Sequence, residues 1–299
     1  MKTPLIVYLH GIGDNIMLSG VIKEYCRRRQ IAKVDLVVLN PGCAAIWRNN
    51  PLVGQVTVYP HPQPHFWNPV LFYGLHQWKV RRWIREFNRD GRYQEIIFST
   101  IQTLPEILYH VTGTYGRHKI DRVCRELGLA PTLHPYDLYP STTEEAEAAR
   151  LAEKFSGRRL AVIHPFSGHT KKRLGSRDVT GILESLRAQG YLPLIVGSSA
   201  ESRRLDPAWQ AQSVFGLELG VLIALLKRAE IFAGTDSAVA HLAAFANVPR
   251  LLIFSPKLKP SRYLPLTERG QIHLIKITRN DDNDIQAKFL SHFSETGGR

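Results

Sequence analysis

The sequence predicts an α/β fold with two doubly wound, mostly parallel sheets, and three observations lead to this prediction. Short apolar runs of strand length alternate with longer helical patterns, which is typical of parallel sheets covered by helices. Polar or glycine-rich turns follow several of the apolar runs and open the next helix. The 299 residues of the chain are also enough for about two domains of ordinary size.

The first strand and helix form a βα unit. Leu5 to His10 is predicted as a buried strand and Ile16 to Arg29 as an amphipathic helix, joined by residues 11–15, which read Gly-Ile-Gly-Asp-Asn. The turn lacks the third glycine of a dinucleotide-binding fingerprint, because Ile16 occupies that place, and this argues against a Rossmann dehydrogenase. Asp14 is therefore either a simple helix cap or a functional carboxylate.

The rest of the first half continues the alternation and ends in a proline-rich linker. Further strands are predicted at Asp35–Leu39, Gln55–Tyr59 and Glu95–Ser99, and helices at Cys43–Asn50, Thr103–Thr112 and His118–Leu127. Pro131, Pro135 and Pro140 interrupt regular structure, and Ser141-Thr-Thr-Glu144 then forms a capping box for a helix that ends near Phe155. We predict an N-terminal domain of residues 1–140 and a C-terminal domain of residues 141–299.

Residues 61–90 depart from the composition of the rest of the chain. They are crowded with proline, histidine, aromatic and basic residues, and a predicted helix there carries Trp78, Arg81, Arg82, Trp83 and Arg85. These side chains could place rings against lipid or sugar and guanidinium groups against phosphate. An ordinary amphipathic helix with Trp83 and Phe87 buried and its arginines in solvent explains the same residues.

The second half repeats the βα pattern. Strands are predicted at Leu160–His164, Leu192–Val196, Ile231–Ala233 and Gln271–Ile277, and helices at Ser176–Gln189, Ala238–Ala246 and Asp281–Phe293. Residues 165–174 follow the first of these strands as a polar and strongly basic loop. Because it lies at the carboxyl end of a strand, this loop could neutralise a diphosphate through Ser167, Thr170, Lys171, Lys172 and Arg173.

A second polar turn, Gly-Thr-Asp-Ser at residues 234–237, separates a strand from a helix. Asp236 or Ser237 is the natural N-cap of that helix. A helix that begins so abruptly presents unpaired amides and the positive end of its dipole, which together favour phosphate. A purely structural role, in which Asp236 caps and His241 packs, remains open at this point.

Residues 234–244 and the strand that follows them resemble the signature of the family 9 glycosyltransferases, the heptosyltransferases of lipopolysaccharide core assembly. The family pattern is Asp-Thr-Gly-x-x-His-Leu-Ala-Ala. Asp236 and His241 match it, whereas Ser237 and Ala238 stand where the family has Thr and Gly.

The resemblance implies roles for residues elsewhere in the chain. Gly13-Asp14 matches the Gly-Asp with which the family faces its acceptor sugar. By its spacing from His164, Lys171 corresponds to the family lysine, with Lys172 as its rival because the usual Trp-Pro is missing. Glu201 corresponds to the acidic residue that contacts the nucleotide ribose, although a glutamate in a first helical turn also suits the helix dipole.

The implied architecture is GT-B, in which two Rossmann-like domains face one another across a cleft. The implied activity is inverting, metal-independent transfer of a sugar, with heptose expected, from a nucleotide sugar such as ADP-heptose to a lipopolysaccharide-core or other anionic glycan acceptor. Asp14 would take the proton of the acceptor hydroxyl, while Lys171 and the amides of Ser237 and Ala238 would bind the diphosphate. No cofactor besides the nucleotide-sugar donor is expected.

Charge, cysteine content and hydropathy bound the partners. The net charge of +13 predicts attraction to anionic partners, whether nucleic acid, phospholipid or a phosphorylated glycolipid. Cys26, Cys43 and Cys124 form neither a disulfide framework nor a metal-binding pair. The apolar run Pro4–Leu9 is too short for a secretion signal. We therefore expect a cytoplasmic protein that meets a membrane only at its surface and needs no nucleic acid.

No metal site is expected from the sequence. Asp282-Asn283-Asp284 spells the acidic triplet with which other glycosyltransferases bind manganese, but acidic residues before a helix are explained by the helix dipole. No cluster of histidine, cysteine and carboxylates has the spacing of metal ligands.

Two other classes of protein stay open on the sequence alone. A non-catalytic binder of nucleotides or nucleic acid on a degenerate scaffold would use the same basic surface. An α/β-hydrolase-like esterase is suggested by Leu9-His10-Gly11, but its nucleophile motif Gly-x-Ser-x-Gly does not occur. Release of free nucleoside diphosphate from a nucleotide sugar separates the transferase from the binder, and a chromogenic ester tests the esterase.

Overall fold

The computed structural model describes residues 3–61, 69–99, 119–130, 136–154, 157–168, 170–255, 265, 271–276 and 287–291, without the side chains of residues 69–75, 171, 271 and 276. Contacts divide the chain into two compact units, Met1–Tyr139 and Pro140–Arg299. Each unit has one sheet and its own apolar core, so each is described by itself.

The first unit alternates strands and helices as the sequence predicts. Its described elements are β1 (Leu5–Tyr8), α1 (Ile12–Arg29), β2 (Val34–Val38), α2 (Pro41–Ala45), β3 (Val53–Val58), α3 (Pro69–Phe87), β4 (Ile96–Phe98) and α4 (Lys119–Glu126). The sheet has the order β3-β2-β1-β4, and its described strand pairs are all parallel. The chain winds from β1 to one side and then returns to place β4 on the other. The topological switch point therefore lies between β1 and β4.

Helix α3 closes the core of the first unit with one face and is exposed on the other. Val80 and Ile84 are buried against the sheet, and the half-buried Trp83 and Phe87 stack on each other with ring centroids 5.0 Å apart. Trp78 on the other face is 52% exposed, with the Arg82 guanidinium 5.5 Å from its ring centroid. The segment is thus an amphipathic helix whose outer face is aromatic and basic.

The second unit is a larger sheet of the same kind. Its elements are α5 (Thr142–Glu153), β5 (Arg159–His164), α6 (Ser176–Ala188), β6 (Tyr191–Gly197), β7 (Ser213–Phe215), α7 (Leu219–Leu226), β8 (Ile231–Thr235), α8 (Ala238–Phe245), β9 (Arg250–Ser255) and β10 (Gln271–Lys276). The strand order is β10-β9-β8-β5-β6-β7, with parallel pairing throughout the described strands. Its switch point lies between β5 and β8.

A glycine lets the two central strands of this sheet approach closely. A Cβ atom added at Gly234 would lie 2.7 Å from the carbonyl oxygen of His164, which is closer than a carbon atom can come. Gly234 pairs with His164 in the parallel register of β5 and β8. Glycine at this position therefore brings the ends of the two strands, and the turns that follow them, together.

Helix starts show where the sequence predictions hold and where they fail. The capping box before α5 is confirmed, because the Ser141 hydroxyl accepts from the Glu144 amide at 3.2 Å and the Glu144 carboxylate accepts from the Ser141 amide at 2.6 Å. The predicted start of α1 at Ile16 is wrong. The helix begins at Ile12, because the Asp14 carboxylate accepts from the Gly11 amide at 3.3 Å and so satisfies an amide at its N-terminus.

The predicted helix at Cys43–Asn50 is wrong in its bounds, since α2 spans Pro41–Ala45. It begins earlier because the Asn40 side chain accepts from the Cys43 amide at 3.0 Å and proline occupies its first turn. Two predictions lie outside the described residues: the helix at Thr103–Thr112 and the acidic triplet at 282–284. Of the helix predicted at 281–293, the structure describes residues 287–291, and these are helical.

Candidate active site

Both sheets carry polar side chains at the carboxyl ends of the strands that flank their switch points. Asp14 follows β1 and Ser99 follows β4 in the first unit. Ser167 and Asp236 follow β5 and β8 in the second unit. Ligands of open α/β sheets bind at such switch points, so both positions are candidates for a functional site.

In the first unit, Asp14, Lys119 and His10 form a compact group, called here the Asp14 cluster. The Lys119 ammonium lies 2.7 Å from Asp14 Oδ2 and 3.1 Å from His10 Nδ1. The same carboxylate oxygen accepts from the Gly11 amide and lies 4.0 Å from His10 Nδ1. Lys119 is only 9% exposed, which is unusual for a lysine and is compensated by this pairing.

A buried asparagine fixes the turn that carries Asp14. The Asn15 amide nitrogen donates to the carbonyl oxygens of His10 and Gly11 at 3.1 and 2.9 Å. Its amide oxygen accepts from the Trp47 indole at 3.0 Å. Because these bonds tie the turn to its own backbone and to the residues after α2, the backbone of Asp14 is held in place.

The histidine of the Asp14 cluster is neutral. Burial lowers the pKa of His10 well below its ordinary value, and the charge of Lys119 lowers it further, whereas Asp14 acts in the opposite direction. A neutral imidazole can accept the hydrogen bond of the Lys119 ammonium at Nδ1. His10 therefore helps to orient Lys119 without adding a charge.

The same face of α4 carries a second ion pair. Arg122 Nε donates to Glu126 Oε1 at 2.6 Å, and the Ser99 hydroxyl donates to Glu126 Oε2. Lys119, Arg122 and Glu126 follow one another at spacings of three and four residues, so they lie on one side of the helix. The positive charges of Lys119 and Arg122 are therefore equal in number to the negative charges of Glu126 and Asp14.

In the second unit, His164 joins two predicted site residues. The Ser237 hydroxyl lies 3.1 Å from His164 Nδ1, and His164 Nε2 lies 3.7 Å from Glu201 Oε2. His164 is buried at the end of β5, Ser237 precedes α8, and Glu201 follows β6. These three residues are called here the His164 chain.

Glu201 is held as a carboxylate. Burial alone would raise its pKa, but the His164 side chain and the amide and hydroxyl of Ser198 lower the pKa of Glu201 to about 2. Both Ser198 groups donate to Glu201 Oε2 at 2.8 Å. The carboxylate is therefore ionised and oriented at neutral pH.

The N-cap position of α8 agrees with the sequence prediction, which named Asp236 or Ser237. Ser237 occupies the N-cap position, but its side chain makes no capping hydrogen bond, because the hydroxyl is directed to His164 instead. Ala238 is the first helical residue, and His241 is buried one turn further on. The Ser237 side chain thus does not cap the first amides of the helix, which is an arrangement that an anion can complete.

The basic loop after β5 places Lys172 beside this helix start. Lys172 Nζ lies 2.6 Å from Asp236 Oδ2 and 3.5 Å from the Asp236 carbonyl oxygen. The loop is held by Arg173 Nε, which donates to the carbonyl of the buried Ser167 at 2.8 Å. The backbone of Lys171 lies in a 3-10 helix, Thr170–Lys172, and its side chain is outside the described residues.

Sequence reasoning missed Lys119, His10 and His164. Lys119 and His10 are 109 residues apart, and Ser237 and His164 are 73 residues apart. His10 and His164 each end the apolar run of a predicted strand, which is the signal that could have marked them. Lys119 stands at the start of a helical pattern among other basic residues, and the sequence carries no signal for its pairing.

Three further features bound what the described parts can do. Within the described ranges, no group of three or more His, Cys, Asp or Glu side chains could hold a metal ion. No described helix is both long and apolar enough to cross a membrane. A cavity with a volume of about 530 Å³ is formed by residues that follow Glu201 in the chain. It is lined by Ser202, Leu205, Pro207, Gln210, Ser213 and Phe215.

The family model described as glycosyltransferase family 9 (heptosyltransferase) matches residues 120–290, which is more than half of the chain. No curated protein matches the sequence.

Several solved structures share the fold at low sequence identity. The family 9 glycosyl transferase from Veillonella parvula DSM 2008 has a TM-score of 0.73 and 14% identity, over 98% of this chain and 96% of that one. ADP-heptose lps heptosyltransferase II of E. coli has a TM-score of 0.67 and 16% identity, over 98% of both chains. E. coli heptosyltransferase WaaC with ADP has a TM-score of 0.61 and 14% identity, over 98% and 99%. The fold class is therefore α/β of the GT-B type.

Proposed function

The chain belongs to glycosyltransferase family 9, the heptosyltransferase family, and we propose that it moves a heptose from a nucleotide sugar such as ADP-heptose to an anionic glycan acceptor. Membership of this family makes the chain a heptosyltransferase-like glycosyltransferase rather than an esterase or a non-catalytic binder. The proposal concerns the donor, the acceptor and the residues that carry the reaction. One observation supports it most: α8 begins directly after the central strand β8, and its N-cap residue Ser237 makes no capping hydrogen bond with its side chain.

The donor diphosphate binds at this helix start. The amides of Ser237 and Ala238 and the positive end of the α8 dipole supply donors and partial charge, which favour phosphate. The basic loop adds Lys171, and Lys172 stands beside Asp236 at 2.6 Å. Ser167 follows β5 and His241 lies one turn into α8, and both are buried. These fixed positive groups stabilise the departing diphosphate, so the reaction needs no metal.

The nucleoside part of the donor lies towards β6. Glu201 is ionised and follows β6, which suits a hydrogen bond with the ribose hydroxyls. The cavity that begins at Ser202 has the volume of an ordinary small-molecule pocket. The Glu201 carboxylate and the cavity are therefore formed by neighbouring residues of the chain.

Asp14 acts as the general base. Its carboxylate follows Gly13 in the first turn of α1 at the switch point of the first sheet, and it takes the proton of the acceptor hydroxyl. The oxygen then attacks the anomeric carbon opposite the diphosphate, the bond between carbon and phosphate oxygen breaks, and the anomeric configuration is inverted. ADP leaves as the other product.

The acceptor is anionic, and the protein meets it from the cytoplasmic side of a membrane surface. The net charge of +13 favours such an acceptor. The outer face of α3, with Trp78 exposed and Arg82 beside it, offers an aromatic ring and guanidinium groups to a phosphorylated glycolipid.

The direct test measures ADP release from ADP-heptose with glycolipid extracted from the native host as acceptor. We expect ADP release that depends on the extract, together with a glycan whose mass rises by one heptose. ADP-glucose, which shares the nucleotide, controls for the sugar. Binding of ADP-heptose without release of ADP under any acceptor condition would overturn the proposal.

A further inference from the structure

We propose that Lys119 is a positioning residue for Asp14, which keeps the carboxylate ionised and fixed for proton transfer. The inference rests on the proposed role of Asp14 as base. It adds a residue on α4, far away in sequence, to the machinery of the β1–α1 turn.

Lys119 contacts one oxygen of the Asp14 carboxylate and one ring nitrogen of His10. Its ammonium lies 2.7 Å from Asp14 Oδ2, which also accepts from the Gly11 amide at 3.3 Å. A second bond, at 3.1 Å to His10 Nδ1, fixes the ammonium from another side. Asp14 is thereby held at one oxygen by a cation and a backbone donor, both of which favour its charged form.

Burial makes this pair different from a surface salt bridge. Lys119 is 9% exposed and Asp14 20% exposed, so solvent screens their attraction less than it screens an exposed pair. On the same unit, Lys23 pairs with Asp137 at 3.1 Å but is 61% exposed. The chain therefore offers a matched lysine whose ion pair should have little effect.

Among the described residues, the other titratable groups near Asp14 differ from Lys119 in charge or in partner. His10 is neutral, since burial and Lys119 lower its pKa. Cys43 on α2 is also neutral, because burial, with a contribution from Asp14, raises its pKa to about 11. Arg122 on α4 is paired with Glu126 at 2.6 Å. The Tyr8 hydroxyl donates to the carbonyl oxygen of Asp14 at 3.3 Å and not to its carboxylate.

The physical consequence is a base that stays ionised as the pH falls. A cation within hydrogen-bond distance favours a carboxylate over its acid by about one to three pH units. Removal of Lys119 should therefore move the protonation of Asp14 to higher pH. It should also hold the carboxylate less firmly, because one of the described donors to Asp14 Oδ2 is lost.

The test follows the ionisation of Asp14 directly. We would label the protein with aspartate enriched in ¹³C at the carboxyl carbon, assign the Asp14 signal by its absence in Asp14→Asn, and titrate it by NMR. The variants are Lys119→Met, Lys119→Arg and the control Lys23→Met. We expect the midpoint to rise by at least about one pH unit in Lys119→Met. It should stay near the wild-type value in the other two.

The midpoints give a clear decision. An Asp14 midpoint that is equal in Lys119→Met and the wild type would overturn the inference. A midpoint that moves as far in Lys119→Arg as in Lys119→Met would do the same, because the charge would then not be the cause. If Lys119→Met does not fold, Lys119→Gln keeps a donor without the charge and gives the same comparison.

Transfer rates separate this inference from the proposed function. With ADP-heptose and the native glycolipid extract, the acidic limb of the pH–rate profile should shift to higher pH in Lys119→Met, together with the NMR midpoint. If Asp14→Asn transfers at the wild-type rate, the role of Asp14 as base fails, whatever Lys119 does to its ionisation. If Asp14→Asn is slow but Lys119→Met leaves the limb unmoved, only the role of Lys119 fails.

Discussion

The turns after β1 and β8 each carry an aspartate that pairs with a lysine from another part of the chain, and the two pairs differ in their surroundings. In the first turn, Asp14 pairs with Lys119 at 2.7 Å, and in the second, Asp236 pairs with Lys172 at 2.6 Å. Asp14 lies inside α1 and binds back to the Gly11 amide, whereas Asp236 lies before α8 and leaves the helix start uncapped. The lysines differ too, since Lys119 is 9% exposed and Lys172 is 28% exposed.

This difference indicates that the two turns have different roles. A carboxylate held by a buried cation and a backbone amide is fixed and ionised, which suits a base that must meet one proton. A helix start whose nearby hydroxyl is directed elsewhere keeps its amides for a ligand, and a half-exposed lysine can turn from its carboxylate to a phosphate. We therefore propose that the first turn carries the chemistry and that the second binds the donor.

The largest effect should come from the first turn. Asp14→Asn is expected to slow single-turnover transfer by about a hundred- to ten-thousandfold, the range for loss of one positioned proton acceptor. The fold should persist, because the amide oxygen of asparagine can still accept from the Gly11 amide. The rate and the melting temperature are measured on the same preparation. An unchanged rate would remove Asp14 as base, and a collapsed melting temperature would make it a structural carboxylate.

The next effect belongs to the basic loop beside the second turn. Lys171→Ala is expected to weaken nucleotide-sugar binding by about ten- to 150-fold, because a charge-assisted contact is worth about 1.5 to 3 kcal/mol. Calorimetric titration of the variant and the wild type checks this. Lys172→Ala is the comparison, since Lys172 already faces Asp236. Equal affinities in Lys171→Ala and the wild type would pass the phosphate contact to Lys172.

A smaller effect tests whether the second turn is uncapped. Ser141 and Ser237 both stand at N-cap positions, but only Ser141 makes the capping bonds. Ser141→Ala should therefore cost about 1 kcal/mol in the free energy of unfolding, while Ser237→Ala should cost clearly less. Urea denaturation of both variants measures the difference. Equal losses would mean that the Ser237 hydroxyl stabilises α8 in the way an ordinary cap does.

The smallest effect concerns the acceptor side of the comparison. The protein should sediment with anionic vesicles at low ionic strength and be released as salt is raised, while neutral vesicles bind it poorly. Trp78→Ala with Arg82→Ala should reduce this binding, because both side chains lie on the outer face of α3. Lys227→Ala in the second unit removes one exposed positive charge and serves as the control. Binding that ignores lipid charge would assign the basic surface to another partner.

The parallel strands could be predicted from the sequence more reliably than the side-chain contacts of the site. Buried strands such as β1 and β5 are apolar runs, which a local pattern reveals. The start of α1 was missed because Gly-Ile-Gly is typical of a turn, whereas the bonds from the Gly11 amide to Asp14 and from the Asn15 side chain to the Gly11 carbonyl hold the first turn of the helix.

The contacts that define the two turns depend on distant segments. Asp236 and His241 were recognisable from a local motif, whereas the direction of the Ser237 hydroxyl depends on His164, which the sheet brings beside it. Lys119 meets Asp14 only because α4 returns to the end of β1. Local propensity contains no information about such pairings, so they had to come from the fold.

The proposal that the first turn carries the chemistry and the second binds the donor is tested most directly by calorimetry. ADP-heptose is titrated into Asp14→Asn, Ser237→Ala and the wild type. Asp14→Asn should bind the donor with wild-type affinity, because its carboxylate serves the acceptor. Ser237→Ala should bind it about tenfold more weakly, because loss of the hydrogen bond to His164 loosens the turn whose amides bind the diphosphate. Weakened donor binding in Asp14→Asn together with wild-type binding in Ser237→Ala would contradict the assignment of chemistry to the first turn and binding to the second.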